Sequence, residues 1–121
     1  MSEEIAYNKI KPVVLKTPTG FVYFDYSDII MCSADGNCTI IFTLESDAPF
    51  RVLHNISFIE RKYGNDKFIR CHKSHIINLM HLEKLITKSH QVQLKKKYIV
   101  PLSENCWKKI RKISEINIHK T

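Results

Sequence analysis

The densest chemistry in the chain lies in one run of six residues, Arg70-Cys71-His72-Lys73-Ser74-His75. Cations, imidazoles, a thiol and a hydroxyl packed this closely suit three jobs: holding a metal, activating a nucleophile or gripping phosphate oxygens. A metal needs its ligands on one face. The His72-x-x-His75 spacing provides that only on a helix, and no acidic third ligand lies nearby in sequence. Cys71 adds little, because neighbours on a strand point to opposite faces. The same opposition weakens a Cys71/His72 nucleophile pair. Contact with phosphate, by contrast, suits both cations, both imidazoles and the hydroxyl. Apolar Phe68-Ile69 and Ile76-Ile77-Asn78-Leu79 flank the run and anchor it on both sides.

No other constellation competes. The chain has no G-x-S-x-G, G-x-x-x-x-G-K, G-x-G-x-x-G or H-E-x-x-H motif. No catalytic residue, metal ligand or cofactor is therefore expected, and the protein is not expected to be an enzyme. Charge supports a binding role. Residues 1–60 carry four Lys/Arg against eight Asp/Glu, residues 61–121 fifteen against four, and the whole has a net charge of +7. A one-sided positive field attracts polyanions. Lys95-Lys96-Lys97 and the cations near the C-terminus join the central run in the basic half.

The elements that must position these groups are mostly short strands. Strands are expected at 13–16, 21–25, 29–32, 38–44, 50–53, 68–71, 81–86, 91–94 and 98–100, with turns at Thr17-Pro18-Thr19-Gly20, Ala34-Asp35-Gly36-Asn37 and Lys88-Ser89-His90. Asn55 can cap a short helix in which Ile56, Ile59 and Tyr63 share a face and Gly64 ends it. A last helix begins at the N-cap Ser103, with Trp107, Ile110 and Ile113 closing the core and Lys108, Lys109, Arg111 and Lys112 outside. The fold class is mostly β: small packed antiparallel sheets with one mid-chain and one C-terminal helix. At 121 residues this is one domain, read as a lead-in at 1–11, a folded unit at 12–114 and a tail at 115–121. The scattered Cys32, Cys38, Cys71 and Cys106 read as plain thiols. They fit a cytoplasmic location, as do the polar N-terminus and the lack of a membrane-length apolar run.

The run from Phe68 to Leu79 resembles the signature of LytTR DNA-binding domains, F-x-R-x-H-[RK]-S-x-[IVL]-[IV]-N. Asp28-Ile29-Ile30 with Asp35-Gly36-Asn37, the helix at 55–63, and Val100-Pro101-Leu102-Ser103 are similar to the family's flanking features. The resemblance implies an elongated β fold, double-stranded promoter DNA as partner, loops as readers, and pairing of two copies on repeated half-sites. Carried over residue by residue, it implies DNA contacts by Asn37 and Thr39, by His72, Lys73 and Ser74, and by Ser103, Glu104 and Asn105. Lys96, Lys97 and Lys108 would be supporting phosphate contacts. It also implies an upstream receiver or sensor as a partner, and no membrane.

Several residues keep a second explanation. His72 fits a structural hydrogen-bonder, Asn78 a backbone cap, and Asn37 a left-handed turn after Gly36. Glu104 departs from the family, which commonly places Arg after that serine to hold guanine. It either accepts a hydrogen bond from a cytosine amino group or touches no base and leaves the DNA to nearby lysines. The rival function is a protein-interaction module whose basic face has lost specific DNA binding. Single-stranded RNA is disfavoured because Phe21, Tyr23, Phe24, Phe42 and Trp107 read mostly as core. A membrane-surface role is disfavoured because the last helix needs Ile113 for the core.

Overall fold

Alternation decides the architecture. In the computed structural model, which describes residues 11–119, Met31 and Ile77 face one way and Cys32 and Ile76 the other. Both sides of the sheet that holds them are therefore buried. That sheet has five antiparallel strands: β3 (Ile29–Asp35), β4 (Cys38–Thr43), β5 (Phe50–Val52), β6 (Phe68–His72) and β7 (His75–Asn78), in the order β5-β4-β3-β7-β6. The hairpin of β1 (Val13–Thr17) and β2 (Gly20–Phe24) covers one face together with α1 (Ile56–Tyr63). A three-stranded sheet of β8 (Leu82–Ile86), β9 (Gln91–Leu94) and β10 (Ile99–Pro101) covers the other together with α2 (Glu104–Ile118).

The first core joins Val13, Leu15, Phe24, Cys32, Ile41, Ile59, Phe68 and Ile76. The second joins Met31, Cys71, Ile77, Val92, Leu94, Trp107 and Ile110. Asn55 caps α1 by accepting from the Phe58 N–H at 2.8 Å, as its position predicts. Gly64 follows α1 with its N–H bonded to the Glu60 carbonyl, and a Cβ there would collide with that oxygen.

Three expectations change. β7 is a separate strand that the sequence hid: with both faces buried, Ile76-Ile77 lacks the polar alternation that marks a strand. The last helix runs through Ile118, beyond the expected start of the tail at 115, and Ile113 is 45% exposed where it was expected to close the core. Finally, β1–β2 buries only one face. Val13, Leu15 and Phe24 point inward, which leaves Phe21 66% and Tyr23 44% exposed where both were read as core. Phe24 and Trp107 are buried as expected. Residues 1–10 of the lead-in and 120–121 of the tail lie outside the described residues.

Candidate nucleic-acid interface

The β6–β7 connection is a two-residue turn, Lys73-Ser74, closed by pairing of His72 with His75. Beside it in the sheet, β3 and β4 are joined by Gly36-Asn37, closed by pairing of Asp35 with Cys38. The left-handed residue there is Gly36, φ 61°, and not Asn37, and the Asn37 side chain is exposed. The two turns lie at one end of the sheet, because Ser33 pairs with His75 and the Ala34 N–H donates to the Ser74 carbonyl at 2.8 Å.

The start of α2 is fastened to the same end. The Ser103 N–H donates to the Cys71 carbonyl at 2.7 Å, and the Ser103 hydroxyl accepts from the Cys106 N–H at 3.3 Å. His72, Lys73 and Ser103 line one shallow depression together with Arg70 and Glu60. Glu104 and Asn105 follow, both exposed. The β8–β9 turn completes this end. The His90 carbonyl accepts from the Leu102 N–H at 3.0 Å, and the His90 ring stacks on Trp107 with centroids 4.1 Å apart.

Hydrogen bonds sort the candidates into braces and free groups. His72 accepts from the Ser74 N–H through Nδ1 at 3.1 Å, which places its ring proton on Nε2 when neutral. Its ring lies 5.3 Å from that of His75, whose Nδ1 bonds the Ser33 hydroxyl at 3.0 Å. Burial, and then the neighbouring His72, hold the His75 imidazole below its ordinary pKa. Among the described residues no group of three or more His, Cys, Asp or Glu could hold a metal ion. The Lys73 side chain is exposed.

Three of the candidate residues lie apart from this cluster. Thr39 is fully buried, with its hydroxyl donating to the His54 carbonyl at 2.7 Å. Lys96 lies at the wrong end. Its Nζ reaches the Thr43 carbonyl at 2.9 Å, the Ser46 carbonyl at 3.0 Å and Asp47 at 3.4 Å. Thr43 closes β4 at the end remote from Cys38, on the order of 16 Å away at strand rise. Lys97 shares that remote turn, so neither lysine joins the cluster at Lys73. Lys108 is near, 3.8 Å from Glu104, which also leans toward His90 at 3.7 Å.

An exposed cluster of turns that presents Lys73 and Lys108 can meet a polyanion, and one comparison decides which class of protein builds it. The family model described as the LytTr DNA-binding domain matches residues 19–115. The chain belongs to the LytTr DNA-binding domain family. The LytTr domain is a DNA-binding module and not a catalytic one. The chain is also similar to the accessory gene regulator protein A of Staphylococcus aureus strains N315 and MW2, at 24% identity over 109 residues. That match covers 90% of this chain but only 42% of those relatives, so the chain spans about two-fifths of their length. Among solved structures it resembles the LytTr DNA-binding domain of a Bacillus cereus protein described as a methyl-accepting/DNA response regulator. The TM-score is 0.67 at 24% identity, over 83% of this chain and 93% of that one, which fixes the shared fold. Among the described residues no helix is long and apolar enough to cross a membrane.

Two features of this LytTr domain escaped the sequence. Arg70 reads there as a phosphate cation, yet its guanidinium points inward to the Lys73 carbonyl, Ser57 and Glu60. His90 reads as an ordinary turn residue, yet it sits at φ 53° against Trp107 and Glu104. Apart from the Lys73 carbonyl three residues on, the partners are 10 to 17 residues distant in the chain, so neither role has a local signal.

Proposed function

We propose that this chain reads double-stranded DNA in a sequence-specific way and serves as the output part of a cytoplasmic transcription regulator. Residues 12–114 form the reading unit, with α2 extending past it. The observation that carries this is the convergence of three turns at one end of the sheet, with His72, Lys73 and Ser103 around one depression. Lys73 and Asn37 reach the grooves, the His72 Nε2–H and the Ser103 region approach phosphate, and Asn105 and Lys108 follow along the duplex. Two copies pair on repeated half-sites. The name of the staphylococcal relatives supports regulation, and their greater length supports an upstream receiver or sensor as partner.

Glu104 touches no base in this proposal. Its carboxylate lies within 4 Å of both His90 and Lys108, and the Lys108 ammonium offsets the repulsion it would exert on phosphates. Selection of sites from random duplex DNA tests the proposal, followed by anisotropy on the winning site across a salt series. A repeated consensus bound at least ~10³-fold tighter than scrambled duplex supports it. Binding without a consensus reduces it to a basic field. No binding at all overturns it in favour of a protein-interaction module.

A further inference from the structure

We infer that Arg70 is a positioning residue for DNA recognition, one that fixes the Lys73-Ser74 turn to α1 and does not itself meet DNA. The inference rests on the DNA-reading role proposed above. Arg70 donates through Nε to the Lys73 carbonyl at 3.2 Å, and through Nη2 to the same oxygen. Its remaining arm, Nη1, donates to the Ser57 hydroxyl at 3.0 Å and to Glu60 at 3.2 Å, both on α1. The side chain is only 24% exposed. A guanidinium is a planar fork of fixed geometry, so this pattern defines direction as well as distance.

The rest of the turn is held with equal completeness. The Ser74 N–H is bonded to the His72 ring and the Ser74 carbonyl to the Ala34 N–H. With Arg70 on the Lys73 carbonyl, each peptide group that could swing is tied to a different element: β6 itself, β3 and, through Arg70, α1. The Lys73 side chain itself is exposed. A reader confined in this way loses less conformational freedom on binding, and its aim survives thermal motion. The β6–β7 register shifts between Arg70 and His72, at the strand end that carries the turn.

The alternative is a direct phosphate contact by Arg70, and the two roles predict opposite signs at Glu60. If Arg70 met phosphate, Glu60→Gln would remove a competing anion, free the cation and tighten binding. If Arg70 positions Lys73, Glu60→Gln and Ser57→Ala each loosen the turn and weaken binding. Both substitutions lie on α1, away from either hydrophobic core, so they avoid the loss of fold that Arg70→Ala risks. Arg70→Lys keeps the charge but loses the fork.

The experiment uses the full chain and the duplex obtained by site selection. Arg70→Lys is expected to lower affinity for that duplex about tenfold and for scrambled duplex much less, with the salt slope unchanged. Lys73→Ala should instead lower the slope by about one. A slope lowered by Arg70→Lys or Glu60→Gln, or tighter binding by Glu60→Gln, overturns the inference. A second measurement needs no DNA. Backbone relaxation at Lys73 and Ser74 should report a turn as rigid as the flanking strands in the native chain and a more mobile one in Arg70→Lys. An unchanged turn also overturns the inference, whereas failure of the native chain to select any site counts only against the DNA-reading role.

Discussion

The imidazole of His90 lies flat on the indole of Trp107, centroids 4.1 Å apart and planes 11° from parallel. This stack sets the edge of His90 beside Glu104, while Lys108 approaches from one helical turn further on. Glu104 is thus held between the His90 ring and the Lys108 ammonium of the protein itself. Replacing Glu104 with Arg removes a carboxylate from the interface and adds a cation. The expected outcome of repeated site selection is an unchanged consensus with affinity raised about tenfold or more. A consensus that changes from cytosine to another base at one position would mean that the native carboxylate reads that base.

The stack itself has a measurable worth. His90 occupies a left-handed conformation, φ 53°, which side chains other than glycine adopt at a cost. His90→Ala keeps that cost and loses the aromatic contact, so urea unfolding should report a loss of about 1 kcal/mol. His90→Gly relieves the backbone and should recover part of it. Equal stabilities for the two variants would show that the strain at this turn is negligible.

Asn78 shows how far sequence could go. It reads as a backbone cap rather than a base reader, and its amide donates to the Tyr26 and Ile29 carbonyls at 2.7 and 2.9 Å while its oxygen accepts from the Met80 N–H. Most of the strands, both helices and the turn at Gly36 are legible for the same reason: each rests on local pattern. What hid were features set by distant partners. β7 lost its alternation because layers cover both faces, Ile113 and Phe21 ended outside because their elements overhang the core, and Thr39 disappeared beneath His54. Asn78→Ala strands two carbonyls and an N–H, so a loss of about 3 kcal/mol or more is expected in denaturant unfolding.

Two histidines make the fold acid-sensitive. Burial, then Lys16 and Lys62, lower the pKa of His54, and burial, then His72, lower that of His75. His54 must stay neutral at Nε2 to accept from the Lys16 N–H at 3.0 Å. The unfolded chain binds protons at these sites more readily than the folded one, so stability rises with pH. Their contribution is complete above the ordinary histidine range near pH 6.5 and is lost as pH falls through the lower folded values. Melting temperature should therefore drop between pH 7 and pH 5, and His54→Gln should flatten that drop. A flat native profile over this range would refute the assignment.

The thiols offer a clock for opening of the fold. Burial pushes the Cys71 thiol up to about 12 and raises Cys32 and Cys106 as well, and a thiol without its thiolate reacts slowly. Cys38 is only half-buried, at the β3–β4 turn. Alkylation followed by mass spectrometry should mark Cys38 first and reach Cys32, Cys71 and Cys106 only as denaturant opens the two cores. Early labelling of Cys71 would mean that the α2 side of the sheet opens on its own.

Lys73 and Lys96 carry the same charge and should answer two different assays. Lys96 takes φ 61° at the remote turn and donates to two carbonyls and Asp47, holding the β9–β10 connection against the loop after β4. Hydrogen bonds from a charged donor in such a site are worth more than neutral ones, so Lys96→Met should cost about 2 kcal/mol of stability. Its effect on DNA should be small, because its charge already faces Asp47 and its turn lies a strand length from the cluster at Lys73. Lys73 makes the reverse case. Its backbone is braced but its side chain is exposed, so Lys73→Ala should leave the melting temperature unchanged while weakening duplex binding and reducing the salt slope by about one. If Lys96→Met reduced the salt slope as strongly, DNA would have to wrap along the length of the sheet, and the reading surface would not be confined to the end that carries Asn37, Lys73 and Ser103.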